Sequence, residues 1–177
     1  MNLPNKLTIL RIILIPVFVV LLLINIPHGD YFAAAIFIIA ALTDSLDGYL
    51  ARRWKQVTRL GILLDPLADK LLITAALISL VELGRIPGWI AIVIVGREFA
   101  VSGLRAIKAG DGIVIPASIF GKLKTATQVI AVLLVILENT YRSITTLSIG
   151  QWAMYIAVVI TIISGLEYFY RFRKELK

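Results

Sequence analysis

Long apolar stretches alternate with short polar turns along the whole chain. The turns contain the residues that interrupt helices, such as Gly, Pro, Asp and Ser, for example at positions 27–30, 84–88 and 110–112. Each apolar stretch has roughly the 20 residues that a helix needs to cross a bilayer. The pattern therefore predicts an all-α polytopic membrane protein that forms one domain over residues 1–177. The six predicted transmembrane helices cover approximately residues 7–26, 31–53, 65–83, 87–108, 120–138 and 148–171.

Charged residues fall at one end of most of the predicted helices. Uncharged runs occupy residues 12–27, 31–43, 71–81, 86–96 and 125–137. Because consecutive helices run in opposite directions, all these runs belong to the same half of the membrane. A charged group at the centre of a membrane helix costs about 2.5–3.5 kcal/mol. We therefore expect the charged groups of the other half to face one another around a polar cavity, since short aspartates cannot reach far toward the helix ends as long cationic side chains do.

Lysine and arginine are unequally distributed between the two sides. Fourteen of the 18 lie at or beyond the charged helix ends, whereas only Arg85 and Arg142 lie in turns on the opposite side. Cytoplasmic loops are enriched in Lys and Arg. The distribution predicts that both termini and the polar cavity face the cytoplasm. The N-terminus carries no signal-peptide cleavage pattern, so we expect the first helix to be retained.

The composition agrees with a membrane protein and excludes several kinds of site. The chain is 59% hydrophobic, with a mean hydropathy of +0.92, against about 45–50% for soluble domains. It contains no cysteine, which excludes disulfides and thiolate chemistry, and its only histidine, His28, lies in a polar turn. The net charge of +7 is attributed to membrane orientation and anionic lipids. Nucleic-acid binding is not expected, because little surface is exposed to water.

Four aspartates lie where the second and third predicted helices meet. Asp44 and Asp47 are three residues apart and Asp65 and Asp69 are four apart, so each pair shares a helix face. A short basic connection makes these helices an antiparallel pair, which brings both aspartate pairs to one depth. Clustered carboxylates repel one another unless cations neutralise them, and all-oxygen ligands favour Mg²⁺ or Mn²⁺. We expect a divalent metal site, and two ions would suit phosphoryl-type transfer.

Small residues follow the first aspartate pair. Gly48 and Ala51 leave room either for a ligand or for close packing of another helix. The nearby aspartates favour the ligand. The order D-x2-D-G-x2-A-R-x8-G-x3-D-x3-D over residues 44–69 resembles the signature of the CDP-alcohol phosphotransferases and matches it at every position.

This resemblance implies six transmembrane helices, a divalent metal, a CDP-linked donor and a homodimer. It implies that Asp44, Asp47 and Asp65 are metal ligands. It implies that Asp69 is both a ligand and the general base that accepts the proton of the acceptor hydroxyl. The residues that it assigns to the cytidine diphosphate are Gly48, Ala51 and Arg52.

Other segments resemble one branch of this family, the bacterial phosphatidylglycerophosphate synthases. They are Leu3–Thr8, Asp65–Lys70, Gly96–Phe99, Val101–Arg105 and Gly121–Thr125. The resemblance extends from residue 3 to about residue 128. It implies transfer of the phosphatidyl group of CDP-diacylglycerol to glycerol 3-phosphate, which gives phosphatidylglycerol phosphate and CMP. Within the first segment, Asn5 and Thr8 can hydrogen-bond the nucleotide, although Asn5 can equally cap the first helix.

The cations of the fourth and fifth predicted helices suit this acceptor. Glycerol 3-phosphate carries a dianionic phosphate, which fixed cations can bind. Arg105, Lys122 and Lys124 lie at the charged helix ends, where they can clamp that phosphate. Arg97 lies deeper, and it either reaches the phosphate or serves as a buried structural cation.

The remaining polar and aromatic residues are expected at the surface. Lys108 is predicted to be a solvated charge near lipid headgroups, and Glu82, Glu138 and Tyr141 are predicted to lie in solvated loops. The residues expected to form aromatic belts at the membrane interfaces are Trp152, Tyr155, Tyr168, Phe169 and Tyr170.

Two alternatives remain open from the sequence. One is another enzyme of the same family, with serine, inositol phosphate or phosphatidylglycerol as the acceptor. The other is a transporter of divalent cations or protons, because buried carboxylates also line transport paths. The uncharged runs disfavour a transporter, since they leave no polar path across the membrane.

Overall fold

The structure is a computed structural model that describes residues 3–24, 26–53, 59–110, 119–141 and 148–174. Within these ranges, the side chains of residues 3–5, 44–53, 59–66, 119–120, 122 and 174 lie outside the description. The described residues form α-helices joined by turns, and none of them belongs to a strand. The helices are α1 (Leu3–Leu23), α2 (Gly29–Arg53), α3 (Arg59–Glu82), α4 (Gly88–Gly110), α5 (Ile119–Ile136), α6 (Glu138–Tyr141) and α7 (Ile149–Lys174).

Six of these helices correspond to the six predicted ones, which confirms the all-α class. The largest difference is at α3, which begins at Arg59 rather than near residue 65. Residues 59–64 are mostly leucine, isoleucine and arginine, which form helices readily. The helix therefore begins about one and a half turns before the apolar segment from which the membrane span was predicted.

Two of the described helices are long and apolar enough to cross a membrane by themselves. They cover Lys6–Leu23 and Ile149–Arg173. The apolar stretches Gly29–Thr43 and Leu123–Ile136 are shorter, because α2 and α5 also carry the polar residues of the candidate site. A membrane location fits this helical fold, while the number of six spans stays a prediction.

The long helices pack into one bundle around a continuous apolar core. α1 packs against α2 and α3, α7 packs against α4 and α5, and contacts of α3 with α4 and of α2 and α3 with α5 join these groups. Phe18 and Phe37 lie at the centre of the first group, fully buried, with ring centroids 5.4 Å apart. Close packing of such side chains holds apolar helices together, also within a bilayer.

The core lies in one half of the bundle, which we call the apolar half. Its buried members fall within residues 18–22, 33–40, 72–80, 86–94, 131–136 and 154–158. All of these ranges belong to runs without Asp, Glu, Lys or Arg. The prediction that the uncharged runs pack together on one side is therefore confirmed for the described residues.

The other half of the bundle buries polar side chains, and we call it the polar half. Its members come from the six long helices. They are Thr8, Arg11, Thr43, Asp69, Arg97, Glu98, Lys124, Gln128, Thr161 and Ser164, each buried or partly buried.

Polar residues close the far end of the apolar half, beyond the core. The Arg85 guanidinium donates to the Asp30 carboxylate at 2.8 Å and to the Ile136 carbonyl oxygen at 2.9 Å. These bonds tie the loop before α4 to the start of α2 and the end of α5. A groove of about 620 Å³ opens beside them, at the end of the bundle opposite to the predicted site.

Two residues that were predicted to lie in solvated loops are instead packed into this end of the bundle. Glu138 is buried in α6. The Tyr141 hydroxyl donates to the Leu134 carbonyl oxygen at 3.0 Å and accepts from the Gly150 amide at 2.8 Å. The prediction was wrong for both, because α6 folds back onto the end of α5 and the start of α7. Glu82, in contrast, is exposed as predicted.

Candidate functional site

The four aspartates lie at matching heights on consecutive helices. Asp47 lies six residues before Arg53, the last residue of α2. Asp65 lies six residues after Arg59, the first residue of α3. Asp44 is three residues and Asp69 four residues farther from these ends, so with a rise of about 1.5 Å per residue the two pairs fall at nearly the same height. α2 and α3 pack against each other, and only residues 54–58 separate them in the sequence. The backbone is thus compatible with the predicted convergence.

Asp69 is the one aspartate of this set whose side chain is described. It is partly buried on α3, and it lies close enough to Lys124 of α5 for the two opposite charges to attract. The side chains of Asp44, Asp47 and Asp65 lie outside the described residues. Asp69 therefore connects the predicted metal site to the cations of the neighbouring helices.

Lys124, Glu98 and Arg97 form a buried ionic network next to Asp69. The Glu98 carboxylate oxygen Oε1 accepts from the ammonium of Lys124 and, at 3.1 Å, from the guanidinium of Arg97. The side chain of Lys124 is 8% exposed, and those of Arg97 and Glu98 are 13% and 16% exposed. One carboxylate thus faces two cations in a partly buried site, and the carboxylate of Asp69 adds a second negative charge near Lys124.

The last helix completes this network from the opposite side. The Arg97 guanidinium donates to the Ser164 hydroxyl oxygen at 2.6 Å. The Gln128 amide donates to the Thr161 hydroxyl at 2.9 Å, and both of these residues are buried. These bonds connect α4 and α5 to α7 within the polar half.

Two further cations of α4 lie against aromatic rings of α7. Arg105 lies over the ring of Tyr168 at 5.2 Å, and Lys108 over the ring of Phe172 at 5.1 Å, both within the range of cation–π attraction. Arg105 is otherwise exposed, so it remains accessible to an anion. The prediction of a solvated Lys108 was wrong. Its side chain is buried because α7 continues alongside the end of α4.

The other predicted ligand-binding residues are only partly described. Thr8 is fully buried on α1, one turn before the buried Arg11. The side chains of the remaining candidates lie outside the described residues. They are Asn5, Gly48, Ala51, Arg52 and Lys122.

The structure adds four polar residues that the sequence interpretation did not assign to the site. They are Glu98, Gln128, Thr161 and Ser164. A sequence signal exists for the last three, because Gln128 follows Lys124 by one helical turn and Ser164 follows Thr161 by three residues. Polar residues at such spacings in apolar helices mark a shared buried face.

The donor set fits a hard divalent cation. Aspartate oxygens are the ligands that Mg²⁺ and Mn²⁺ prefer, and the heights of the aspartate positions allow both helices to contribute. The described side chains alone contain no group of three acidic or histidine residues. A complete metal site would thus need the aspartates at positions 44, 47 and 65 together with Asp69.

Comparison with known proteins agrees with these observations. The profile of the family described as CDP-alcohol phosphatidyltransferase matches residues 1–163. A protein of Bacillus subtilis (strain 168) named CDP-diacylglycerol–glycerol-3-phosphate 3-phosphatidyltransferase is 45% identical over 99% of this chain and 97% of its own length. Proteins of the same name from Haemophilus influenzae and Rickettsia bellii are 42% and 40% identical, over 94% and 95% of this chain and 91% and 93% of their own lengths.

The family match covers the aspartate signature, the cations of α4 and α5 and most of the helices that surround them. The relatives align over nearly their whole lengths as well as over nearly all of this chain. The chain therefore belongs to the CDP-alcohol phosphatidyltransferase family.

Proposed function

We propose that this protein transfers the phosphatidyl group of CDP-diacylglycerol to glycerol 3-phosphate and releases CMP. The observation that carries the proposal is the full-length similarity to relatives named for this reaction, together with a complete aspartate signature at residues 44–69. The product is phosphatidylglycerol phosphate. The protein thus acts in phospholipid biosynthesis.

The buried network supports an anionic acceptor. Lys124 and Arg97 share the single carboxylate of Glu98. Asp69, the other acidic group near Lys124, is assigned here to the metal, so one positive charge of the two cations is left for an anion. A phosphate group can replace Glu98 as the partner of one of these cations, since charge-assisted bonds to phosphate are as favourable as those to carboxylate. Arg105 and Lys122 act at the rim of the same site. A neutral acceptor such as serine does not need this set of cations.

The chain's own residues supply binding and proton transfer. Gly48, Ala51 and Arg52 hold the cytidine diphosphate, with Asn5 and Thr8 bonding the nucleotide from α1. Asp69 accepts the proton of the acceptor hydroxyl. The hydroxyl oxygen then forms a bond to the lipid-side phosphorus, the bond from that phosphorus to the oxygen of CMP breaks, and CMP leaves with the bonding electrons.

Asp44, Asp47, Asp65 and Asp69 would hold the divalent metal, as one ion or two. When bound, Mg²⁺ or Mn²⁺ stabilises the charge that develops on the oxygens of the donor's pyrophosphate.

The arrangement in the membrane is part of the proposal. The six long helices have between 18 and 26 residues, enough for lengths of about 27–39 Å against a hydrocarbon core of about 30 Å. With both termini in the cytoplasm, the polar half faces the cytoplasmic leaflet, where CDP-diacylglycerol can enter sideways from the lipid. The protein acts as a homodimer, as the family resemblance implies.

The test is an assay of CMP release by the purified protein in detergent micelles containing CDP-diacylglycerol. Glycerol 3-phosphate, serine, inositol phosphate and phosphatidylglycerol are supplied one at a time, and the lipid product is identified by mass spectrometry. We expect release with glycerol 3-phosphate alone, loss of activity with a chelator, and recovery on adding Mg²⁺ or Mn²⁺. Release with a different acceptor would overturn the proposed substrate, and full activity after exhaustive chelation would overturn the metal site.

A further inference from the structure

Three cations of α4 contact the C-terminal part of α7 along one face. Arg97, Arg105 and Lys108 are spaced so that they project from the same side of α4. Their partners on α7 follow in the same order along the chain. The pairs are Arg97 with Ser164, Arg105 with Tyr168, and Lys108 with Phe172.

The position of Arg97 is restricted by close packing against Gly165 as well as by its hydrogen bond to Ser164. A Cβ atom built on Gly165 would meet Cγ of Arg97 at 3.1 Å and Nε at 3.7 Å. A contact of 3.1 Å is tighter than a Cβ atom normally makes, so an alanine here would require the arginine stem to shift by a few tenths of an ångström. The hydroxyl oxygen of Ser164, the residue before Gly165, accepts a hydrogen bond from the Arg97 guanidinium at 2.6 Å.

Arg105 is held by the ring of Tyr168 rather than by its hydroxyl. Tyr168 is 5% exposed, and its hydroxyl has no hydrogen-bond partner among the described residues. The aromatic face is therefore the part of this side chain that acts on Arg105, through cation–π attraction. Burial of Tyr168 also shows that it does not belong to an interfacial belt.

These partners begin immediately after residue 163, where the family profile ends. We propose that Ser164, Gly165 and Tyr168 are positioning residues, which fix the directions of Arg97 and Arg105 and so determine the affinity for the anionic acceptor. This inference rests on the proposed function, because it assigns these cations to the acceptor phosphate. It adds a specificity role for a segment that follows the part of the chain matched by the family profile.

The first experiment measures steady-state kinetics of Gly165→Ala against the control Gly110→Ala. The added methyl group requires the Arg97 stem to shift by a few tenths of an ångström in the first variant, whereas a Cβ at Gly110 meets nothing within 4 Å among the described residues. We expect the KM for glycerol 3-phosphate to rise about tenfold in Gly165→Ala, which corresponds to about 1.4 kcal/mol. The KM for CDP-diacylglycerol and the melting temperature in detergent should stay near the wild-type values.

The second experiment compares Tyr168→Phe with Tyr168→Leu. Phenylalanine keeps the ring beneath Arg105 and removes only the unpartnered hydroxyl, so acceptor KM should be unchanged. Leucine removes the ring, and acceptor KM should rise about threefold to tenfold. Because Tyr168→Phe preserves the packing, this pair remains informative if Gly165→Ala does not fold.

Two outcomes would overturn the inference. One is an unchanged acceptor KM in both Gly165→Ala and Tyr168→Leu. The other is an equal rise in both KM values accompanied by a lower melting temperature, which indicates a purely structural contact. Both differ from failure of the proposed function, in which the wild-type protein itself does not release CMP with glycerol 3-phosphate.

Discussion

The apolar half and the polar half of the bundle are formed by the same helices but bury different side chains. In the apolar half, fully buried residues such as Phe37, Leu77 and Val132 fit together by shape. In the polar half, buried or partly buried residues such as Glu98, Lys124 and Gln128 are joined to their partners by ion pairs and hydrogen bonds. Each helix therefore changes its chemistry along its length, and the change occurs at a similar level in all of them.

This difference separates stability from function. Close packing of apolar side chains stabilises the association of helices within a membrane, whereas a buried ion pair contributes little net stability because desolvation opposes it. Burying the charged side chains of the polar half therefore costs more free energy than burying the side chains of the apolar half. Its charges are explained by the reaction that we propose, and substitutions in the two halves should have different signatures.

The largest expected effect is on turnover, from Asp69→Asn. Loss of the proposed general base should lower kcat about 10²–10⁴-fold, while the protein keeps its helical content and its melting temperature. CMP release and circular dichroism measure the two properties. Glu82→Gln, which changes an exposed carboxylate at the end of the same helix, is the control and should be fully active. Near-normal turnover of Asp69→Asn would contradict the assignment.

The next effect is on both stability and acceptor binding, from Glu98→Gln. The substitution leaves Lys124 and Arg97 without their shared carboxylate, which should lower the free energy of unfolding by about 3–5 kcal/mol. Added glycerol 3-phosphate should raise the melting temperature of this variant more than that of the wild type, because its phosphate supplies the missing negative charge.

A matched control for Glu98→Gln is Glu167→Gln, which breaks an exposed pair with Arg171 one turn away. Such a pair contributes only about 0.3–0.5 kcal/mol, so the melting temperature should hardly change. If both variants lose the same stability, the buried network has no special role in the fold.

In the apolar half, Leu77→Ala should reduce stability without affecting either substrate. Leu77 is fully buried, and its truncation should cost about 2–5 kcal/mol through the cavity it leaves. The KM values measured well below the melting temperature should match those of the wild type. Its neighbour Ile78, which is 59% exposed, provides the control Ile78→Ala with little effect. A selective rise in acceptor KM for Leu77→Ala would show that the two halves are not independent.

The smallest expected effect concerns the bond between Gln128 and Thr161. A double-mutant cycle with Gln128→Leu and Thr161→Val should give a coupling free energy of about 0.6 kcal/mol, the usual size of such bonds between membrane helices. Thermal unfolding in detergent measures all four proteins. A coupling above about 2 kcal/mol would indicate that this pair, rather than the ionic network, holds α5 to α7.

Much of the fold was predictable because its signals are local. Apolar runs and turn residues gave the helices, and the uncharged runs gave the apolar half. Exposure of Trp152, Tyr155, Phe169 and Tyr170 agrees with a surface position, although the belt itself stays a prediction. The heights of the aspartates also follow from spacing alone, since residues on a helix rise by a fixed amount.

The errors concern residues whose surroundings come from distant parts of the chain. Lys108 and Tyr168 were expected at the surface, yet each is buried between α4 and α7. Glu138 and Tyr141 were expected in a loop, but they form part of a packed turn. Polarity and chain position do not reveal burial when the covering helix is far away in the sequence.

The sequence by itself determined the helices, the separation of charged from uncharged segments and the aspartate spacing, because each depends on residues close together in the chain. The tertiary structure alone decided which cation meets which partner. Arg97 reaches Ser164 across 67 residues, and Glu98 joins Lys124 from a different helix. Such pairs depend on how the helices pack, and packing is determined by the shapes of all the buried side chains together.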